Sequence, residues 1–142
     1  MAHAPEGAMS IKSFRDLVAW QRGMTLAEQI YSLTRKFPPS ERYGMSFQLR
    51  KATTSIPSNI AEGHQKPTRS YLYHLNIALG ECNEAQTQLE LSYRVGLAPE
   101  STVKPILADA DEVGRLVRGL LNSVERRSQS DSDEGPERPD RP

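Results

Sequence analysis

Few residues in this chain are equipped for acid–base, nucleophilic or metal chemistry, and they are scattered. The three histidines are His3, His64 and His74. A metal site needs ligands at fixed short spacings, such as HExxH on one helix face or paired Cys/His, and neither pattern is present. Cys82 is the single cysteine, so no intramolecular disulfide can form, and its apolar helical position reads as a buried thiol. The acids Glu81, Glu84, Glu90, Asp109, Asp111 and Glu112 invite comparison with carboxylate-bridged metal pairs in bundles. Those sites use Glu-x-x-His pairs pointing inward, which this sequence lacks, so the acids read as solvated helix faces. AEGHQK, residues 61 to 66, is not a phosphate loop, which requires GxxxxGK[ST] after a strand. Nothing positions a Ser-His-Asp set. The expectation is a protein that is not an enzyme, with no catalytic residues, no cofactor and no metal.

What remains is the chemistry of charge and surface. Residues 11 to 66 hold nine Lys+Arg against four Asp+Glu, giving +5, whereas 67 to 124 hold five against seven, giving −2; the whole chain is neutral. The basic half carries Arg15, Arg22, Arg35, Lys36, Arg42, Arg50, Lys51 and Lys66. This is less charge than a dedicated nucleic-acid binder shows. Yet cations beside a stackable ring and hydroxyls make a workable phosphate surface. If Ile56 marks the core side of its helix, Phe47 lies about 180° away, with Lys51, Thr54 and Ser58 beside it and Arg50 and Pro57 at the margin. Candidate residues for nucleic acid or for an interface are therefore Arg15, Arg22, Arg42, Phe47, Arg50, Lys51, Ser58 and Lys66. RNA or DNA, a protein partner and a second copy of the chain are the partners this surface suits.

The elements that must position them are all helical. A flexible start, residues 1 to 12, is expected before a four-helix bundle over 13 to 127 and a disordered, acidic, proline-rich tail over 128 to 142. The first helix should begin at a Ser13 cap, with Asp16 closing the capping box, and end near FPPS at 37 to 40. Leu17, Trp20, Met24, Ala27, Tyr31 and Thr34 form one face of it, and Gly23, Leu26, Ile30, Leu33 and Phe37 extend that face sideways. The apolar arc is then about 200° wide, more than one core contact needs. The second helix is expected to follow a Ser40 cap with a stripe of Met45, Leu49, Ala52, Ile56, Ile60 and Gly63. The third starts near Thr68 and carries a bundle seam of Tyr71, Leu75, Ala78, Cys82, Ala85, Leu89 and Ser92, stopping at Gly96. The fourth starts between Pro99 and Thr102 and buries Val103, Ile106, Leu107, Ala110, Val113, Val117, Leu120 and Val124; the place of Pro105 in it is open. No stretch is long and apolar enough to span a bilayer. The first ten residues lack the pattern of a secretory leader, so a cytoplasmic location is expected.

The second helix contains SIPSNIAEG, residues 55 to 63. Pro57 deprives the Thr53 carbonyl of its helical donor and favours a bend. Thr54, Ser55 and Ser58 are placed to help satisfy freed backbone groups. Asn59, at the edge of the core stripe, is placed to bond across helices, and Gly63 returns to the core face for close approach or termination.

These residues carry a resemblance. The opening Phe14-x-x-Leu17-x-x-Trp20, the turn Phe37-Pro38-x-x-Glu41-Arg42-Tyr43-Gly44, the block Gln48 to Ala52 and SIPSNIAEG itself closely resemble the four-helix-bundle family of rRNA intervening-sequence proteins. The resemblance spans about residues 13 to 124. It implies an antiparallel up-down bundle assembling as a ring-like homopentamer. Genes of this family often lie within intervening sequences of large-subunit rRNA. A related bundle is an accessory factor of diversity-generating retroelements that contacts nucleic acid and a reverse transcriptase. No catalytic residue comes with the resemblance, and the neutral charge of this chain departs from the basic character of members that bind nucleic acid.

Overall fold

The computed structural model describes residues 11–133, which hold four α-helices and, within that range, no strand. The helices are α1 (Val18–Thr34), α2 (Met45–His64), α3 (Thr68–Arg94) and α4 (Glu100–Asp133). Each packs against its neighbours in a closed cycle, α1 on α2, α2 on α3, α3 on α4 and α4 on α1. Side-chain pairs fix the directions. Thr34 meets Arg50 while Gly23 meets Pro57, so α1 and α2 run antiparallel; Gly63 meets Tyr71 and His74 across α2 and α3; Gln29 meets Asp109 and Arg22 meets Glu112 across α1 and α4. This is the up-down bundle the heptad-like seams require.

The predicted stripes of α2 and α3 are the ones buried, apart from Met45, which is only partly buried. Leu49, Ala52, Ile56, Ile60 and Gly63 face inward from α2, and all seven seam residues of α3 are buried. On α4 the core positions are Val103, Ile106, Ala110, Val113, Val117, Leu121 and Val124. Leu121 replaces the expected Leu120, which with Leu107 is only partly buried.

The beginning of the bundle differs from expectation. Ser13 and Asp16 do form the capping box, but over a 3-10 turn, Phe14–Asp16; Leu17 is extended (φ −76°, ψ 126°) and α1 starts only at Val18. The inward face of α1 is Ala19, Gly23, Leu26, Ile30, Leu33 and Thr34, with Phe37 buried just beyond. Of the face expected to lead, Met24 and Tyr31 are 38% and 42% exposed. Gly23 lies against Ile56 and Pro57, where an added Cβ would be at the ordinary van der Waals distance of 3.5 Å. The side of the wide arc that carries Gly23, Leu26, Ile30 and Leu33 takes the helix contact, and the opposite, bulky side with Met24 and Tyr31 is left outside.

The ends of the helices follow local chemistry. Ser40 lies in a 3-10 turn, Pro39–Glu41, and does not cap α2. Instead the Glu41 carboxylate accepts the Met45 N–H at 2.9 Å, which also places a negative charge at the positive end of the helix dipole. At Gly44 an added Cβ would sit 2.6 Å from that carboxylate, so the glycine leaves room for the cap. After α3, Gly96 is left-handed (φ 83°), with Leu97 N–H donating to the Ser92 carbonyl and Gly96 N–H to Tyr93, a Schellman closure. Since α4 starts at Glu100, Pro105 falls in its second turn on the exposed side. Pro105 has no N–H to offer the Ser101 carbonyl, and both residues are exposed. The helix then continues through Asp133, into the stretch expected to be a tail; adding residues to an existing helix is far easier than nucleating one. Residues 1–10 and 134–142 lie outside the described range.

Candidate functional site

The bulky side of α1 forms one wall of a long groove, and the outer face of α2 forms the other. Its first part, a cavity of about 680 Å³, is lined by Trp20, Met24, Ala27, Tyr31, Pro57 and Ala61, with Glu28, Ser32 and Arg35 on the α1 rim and Thr54 and Ser58 on the α2 rim. Its continuation, about 550 Å³, shares Tyr31, Thr54 and Ser58 and adds Phe47, Arg50, Lys51 and Ser55. Phe47 is 49% exposed. The groove thus passes from an apolar half beside Trp20 to a half where aromatic rings alternate with cations and hydroxyls.

Arg50 organises the junction. Its guanidinium lies 4.6 Å from the Tyr31 ring centroid, and its Nε donates to Thr34 Oγ1 at 2.9 Å. Thr34 passes the chain on by donating to the Ile30 carbonyl at 2.7 Å. An arginine stacked and bonded in this way uses one of its five N–H donors on Thr34. Lys51, one residue on, is exposed; burial and then the neighbouring Glu84 raise the Glu81 carboxyl of α3, and Lys51 partly offsets them.

The structure brings four of the expected residues, Phe47, Arg50, Lys51 and Ser58, into this one groove. Arg42 is exposed before α2 and lies 5.4 Å over the Tyr43 ring, which is itself 81% exposed. Arg35, Lys36, Arg42, Arg50 and Lys51 all belong to the end of α1, the α1–α2 connection and the first turns of α2, so they share one end of the bundle. The other three candidates lie elsewhere. Arg15 sits over Phe14 at 4.6 Å in the 3-10 turn before α1. Arg22 points to α4 and pairs with Glu112 at 3.9 Å. Lys66 follows α2 at the far end of the bundle and contacts Glu62 and His74. Sequence reasoning missed Trp20, Met24 and Tyr31 as groove residues, although the over-wide apolar arc of the first helix was their signal.

SIPSNIAEG forms the groove floor and the joint with α3. Pro57 is buried with its ring against Gly23. Ser58 Oγ donates to the Thr54 carbonyl at 2.9 Å and Asn59 Nδ2 to the Ser55 carbonyl at 2.8 Å, one and two residues beyond the Thr53 carbonyl that Pro57 leaves without its helical donor. Asn59 Oδ1 then faces His74 Nδ1 at 3.0 Å, and His74 Nε2 faces Lys66 Nζ at 3.3 Å. A lysine ammonium only donates, and a backbone carbonyl only accepts. The chain therefore has one consistent sense: Lys66 donates to Nε2, the Nδ1–H of His74 donates to Asn59, and Asn59 donates to Ser55. This is the cross-helix amide bond expected of Asn59. Gly63 is the close approach: an added Cβ would lie 2.8 Å from His74 Cβ and 3.0 Å from Tyr71 Cδ2.

Among the described residues no three His, Cys, Asp or Glu gather as a metal-binding group, and no helix is long and apolar enough to cross a membrane. Cys82 is fully buried, and burial, followed by the nearby Glu81 charge, pushes its thiol up to about 12. Burial also raises the Tyr71 phenol, partly offset by Arg127.

Comparison with known proteins agrees with this architecture. No curated protein matches the chain. A solved structure of a protein of unknown function from the S23 ribosomal protein family of Bacteroides thetaiotaomicron is 27% identical, with a TM-score of 0.68 over 74% of this chain and 96% of that one. The sequence pattern of the 23S rRNA-intervening sequence proteins matches residues 15–119, the span that contains the Arg50 junction, SIPSNIAEG and the α3 seam. The chain belongs to the 23S rRNA-intervening sequence protein family.

Proposed function

We propose that this protein is a non-enzymatic, self-associating accessory bundle of the cytoplasm that engages RNA or DNA through the basic end of its α1–α2 face. One observation carries the reading: Arg50 and Lys51 flank the stackable Phe47 and Tyr31 rings and the hydroxyls of Thr54, Ser55 and Ser58 in a single open groove. Cations supply sequence-independent attraction to phosphates, and exposed rings and hydroxyls supply stacking and further phosphate contacts. The apolar half of the same groove, beside Trp20 and Met24, suits contact between copies, and a homopentamer is the assembly that the family resemblance implies.

The test is binding of a labelled single-stranded RNA and a DNA duplex across a salt series. Phosphate contacts release counterions, so affinity should fall steeply as salt rises. Affinity that is indifferent to salt, or no binding at low salt, removes the nucleic-acid part. The second reading, a scaffold that binds a protein and no nucleic acid, is favoured by the apolar lining around Trp20, Met24 and Pro57. Recovery of the same partner from lysate with and without nuclease treatment would select it.

A further inference from the structure

The α1–α2 connection carries a ring that the groove does not use. Tyr43 stands two residues before α2 and is 81% exposed. Backbone bonds fix the turn on both sides of it: the Arg42 N–H donates to the Pro39 carbonyl at 3.1 Å, the Gly44 N–H donates to the Glu41 carbonyl at 3.0 Å, and the Glu41 carboxylate accepts the Met45 N–H. The turn thus holds the ring out in solvent. Arg42 lies over it, with the guanidinium carbon 5.4 Å from the ring centroid. A cation over one face of a ring leaves the opposite face for another partner.

One exposed ring would need no explanation. The same pairing recurs where the groove reaches this end of the bundle: Arg50 lies 4.6 Å from the centroid of Tyr31, which is also exposed. Phe47, in the first turn of α2, falls between Tyr43 and Arg50 in the chain and is exposed too. Five cations accompany these rings, Arg35, Lys36, Arg42, Arg50 and Lys51, and among the described residues none of the five is ion-paired. Three acids lie near them. Glu41 is committed to the Met45 N–H, Glu81 of α3 neighbours Lys51, and Glu28 is on the α1 rim of the apolar half of the groove. Five against three leaves this end positive.

Rings alternating with cations call for a ligand that offers base faces and phosphates together. A duplex hides the faces of its bases in the stack and presents phosphates and groove edges, which suit cations but give rings nothing to stack on. An unpaired strand offers both at once. We propose that Tyr43, backed by Arg42, is a base-stacking platform, and that with Phe47 and Tyr31 it makes the basic end of the bundle select single-stranded nucleic acid over duplex. The open face of Tyr43 takes a base, and the guanidinium behind the ring meets a neighbouring phosphate. The inference rests on the nucleic-acid part of the proposed function and leaves the Trp20 half of the groove to contacts between copies.

The test is fluorescence anisotropy with a labelled oligouridine and with a labelled RNA duplex of the same length, for the parent, Tyr43→Ala, Tyr43→Phe and Arg42→Gln. Both positions are exposed, so the variants keep the parent fold. The parent should bind the single strand more tightly than the duplex at equal salt. Tyr43→Ala should weaken single-strand binding by about 5- to 150-fold, the effect of losing one stacked base. It removes no charge, so duplex affinity and the salt slope should stay at the parent values. Tyr43→Phe keeps the ring face and should bind as the parent does. Arg42→Gln should flatten the single-strand salt slope by about 0.7. Equal affinity of the parent for the two probes, or a Tyr43→Ala variant that binds the single strand like the parent or loses both probes equally, overturns this inference while salt-dependent binding keeps the nucleic-acid reading. No binding of either probe at low salt overturns both.

Discussion

Cys82 shows how a single buried group couples protonation to stability. Its folded-state pKa of about 12 lies above the ordinary value of 9.0. The unfolded chain therefore loses the thiol proton first as pH rises, and the folded state binds more protons between those values. Stability should be unaffected by this group below about pH 9 and should fall as pH climbs toward 12, at up to about 1.4 kcal/mol per unit. The raised Tyr71 phenol acts in the same alkaline direction. Cys82→Ser should flatten the thiol's share of the alkaline decline in urea melts, and native protein at pH 8 should resist alkylation because the thiolate is both rare and enclosed.

Two glycines separate packing from helix propensity. Gly80 lies in α3 with nothing within 4 Å of an added Cβ, so Gly80→Ala should stabilise by about 0.5–1 kcal/mol. Gly63→Ala gains the same propensity but drives a Cβ into His74 Cβ and Tyr71, which belong to a neighbouring helix that must move. A net destabilisation of about 1–3 kcal/mol is expected. Asn59→Leu removes the acceptor for His74 Nδ1–H, and His74 is only 8% exposed. Stranding that donor should cost about 1–3 kcal/mol in thermal or urea melts. Asn59→Asp, which retains an acceptor, should destabilise less, and equal effects for the two would show that the bond contributes nothing.

At the scale of elements, Pro57 decides the shape of α2 on the groove side. Pro57→Ala returns an N–H to the Thr53 carbonyl and a better helix former to the chain, while deleting ring carbons that rest on Gly23 and floor the groove. These effects oppose each other in stability, so the bundle should remain folded and the melting curve should keep its cooperativity. Assembly, by contrast, should shift in sedimentation because the groove surface has changed; a sedimentation profile identical to the parent's would sever Pro57 from the interface. The α2 and α3 stripes were legible because each repeats at regular three- and four-residue spacing and is bounded by proline or glycine. In α1 the pattern was ambiguous for a physical reason: an apolar arc of about 200° has no unique centre. The side that packs is the one with Gly23, Leu26, Ile30 and Leu33. The same ambiguity concealed Trp20, Met24 and Tyr31 as groove residues. Glu41 was equally hidden as the cap of α2, since its carboxylate reaches the Met45 N–H only because a turn closed by the Gly44 N–H on the Glu41 carbonyl folds the ERYG stretch back on itself. Of the cationic candidates, chain position alone could not separate Arg50 and Lys51, which share the groove, from Arg22, which is committed to Glu112.

For the whole molecule, neutrality conceals a separation of charge between its two halves. Arg35, Lys36, Arg42, Arg50 and Lys51 gather at one end of the α1–α2 face, although residues 67 to 124, with five Lys+Arg against seven Asp+Glu, are net negative. A phosphate backbone approaching this end meets five cations, with Glu81 of α3 near Lys51, so modest net charge is compatible with local attraction. Lys51→Glu with Arg35→Glu reverses the two rim charges without touching the core, since both side chains are exposed. The double variant should fold as the parent does. Its affinity for single-stranded RNA should fall, and the slope of log affinity against log salt should flatten by about 0.7 for each phosphate that the variant no longer neutralises. Arg22→Glu is the matched control: it removes a cation from α1 on the α4 side, away from the groove, and should leave both affinity and slope close to the parent values. If Arg22→Glu weakens binding as much as either rim substitution does, attraction is spread over the whole basic half of the chain, and the groove does not direct it.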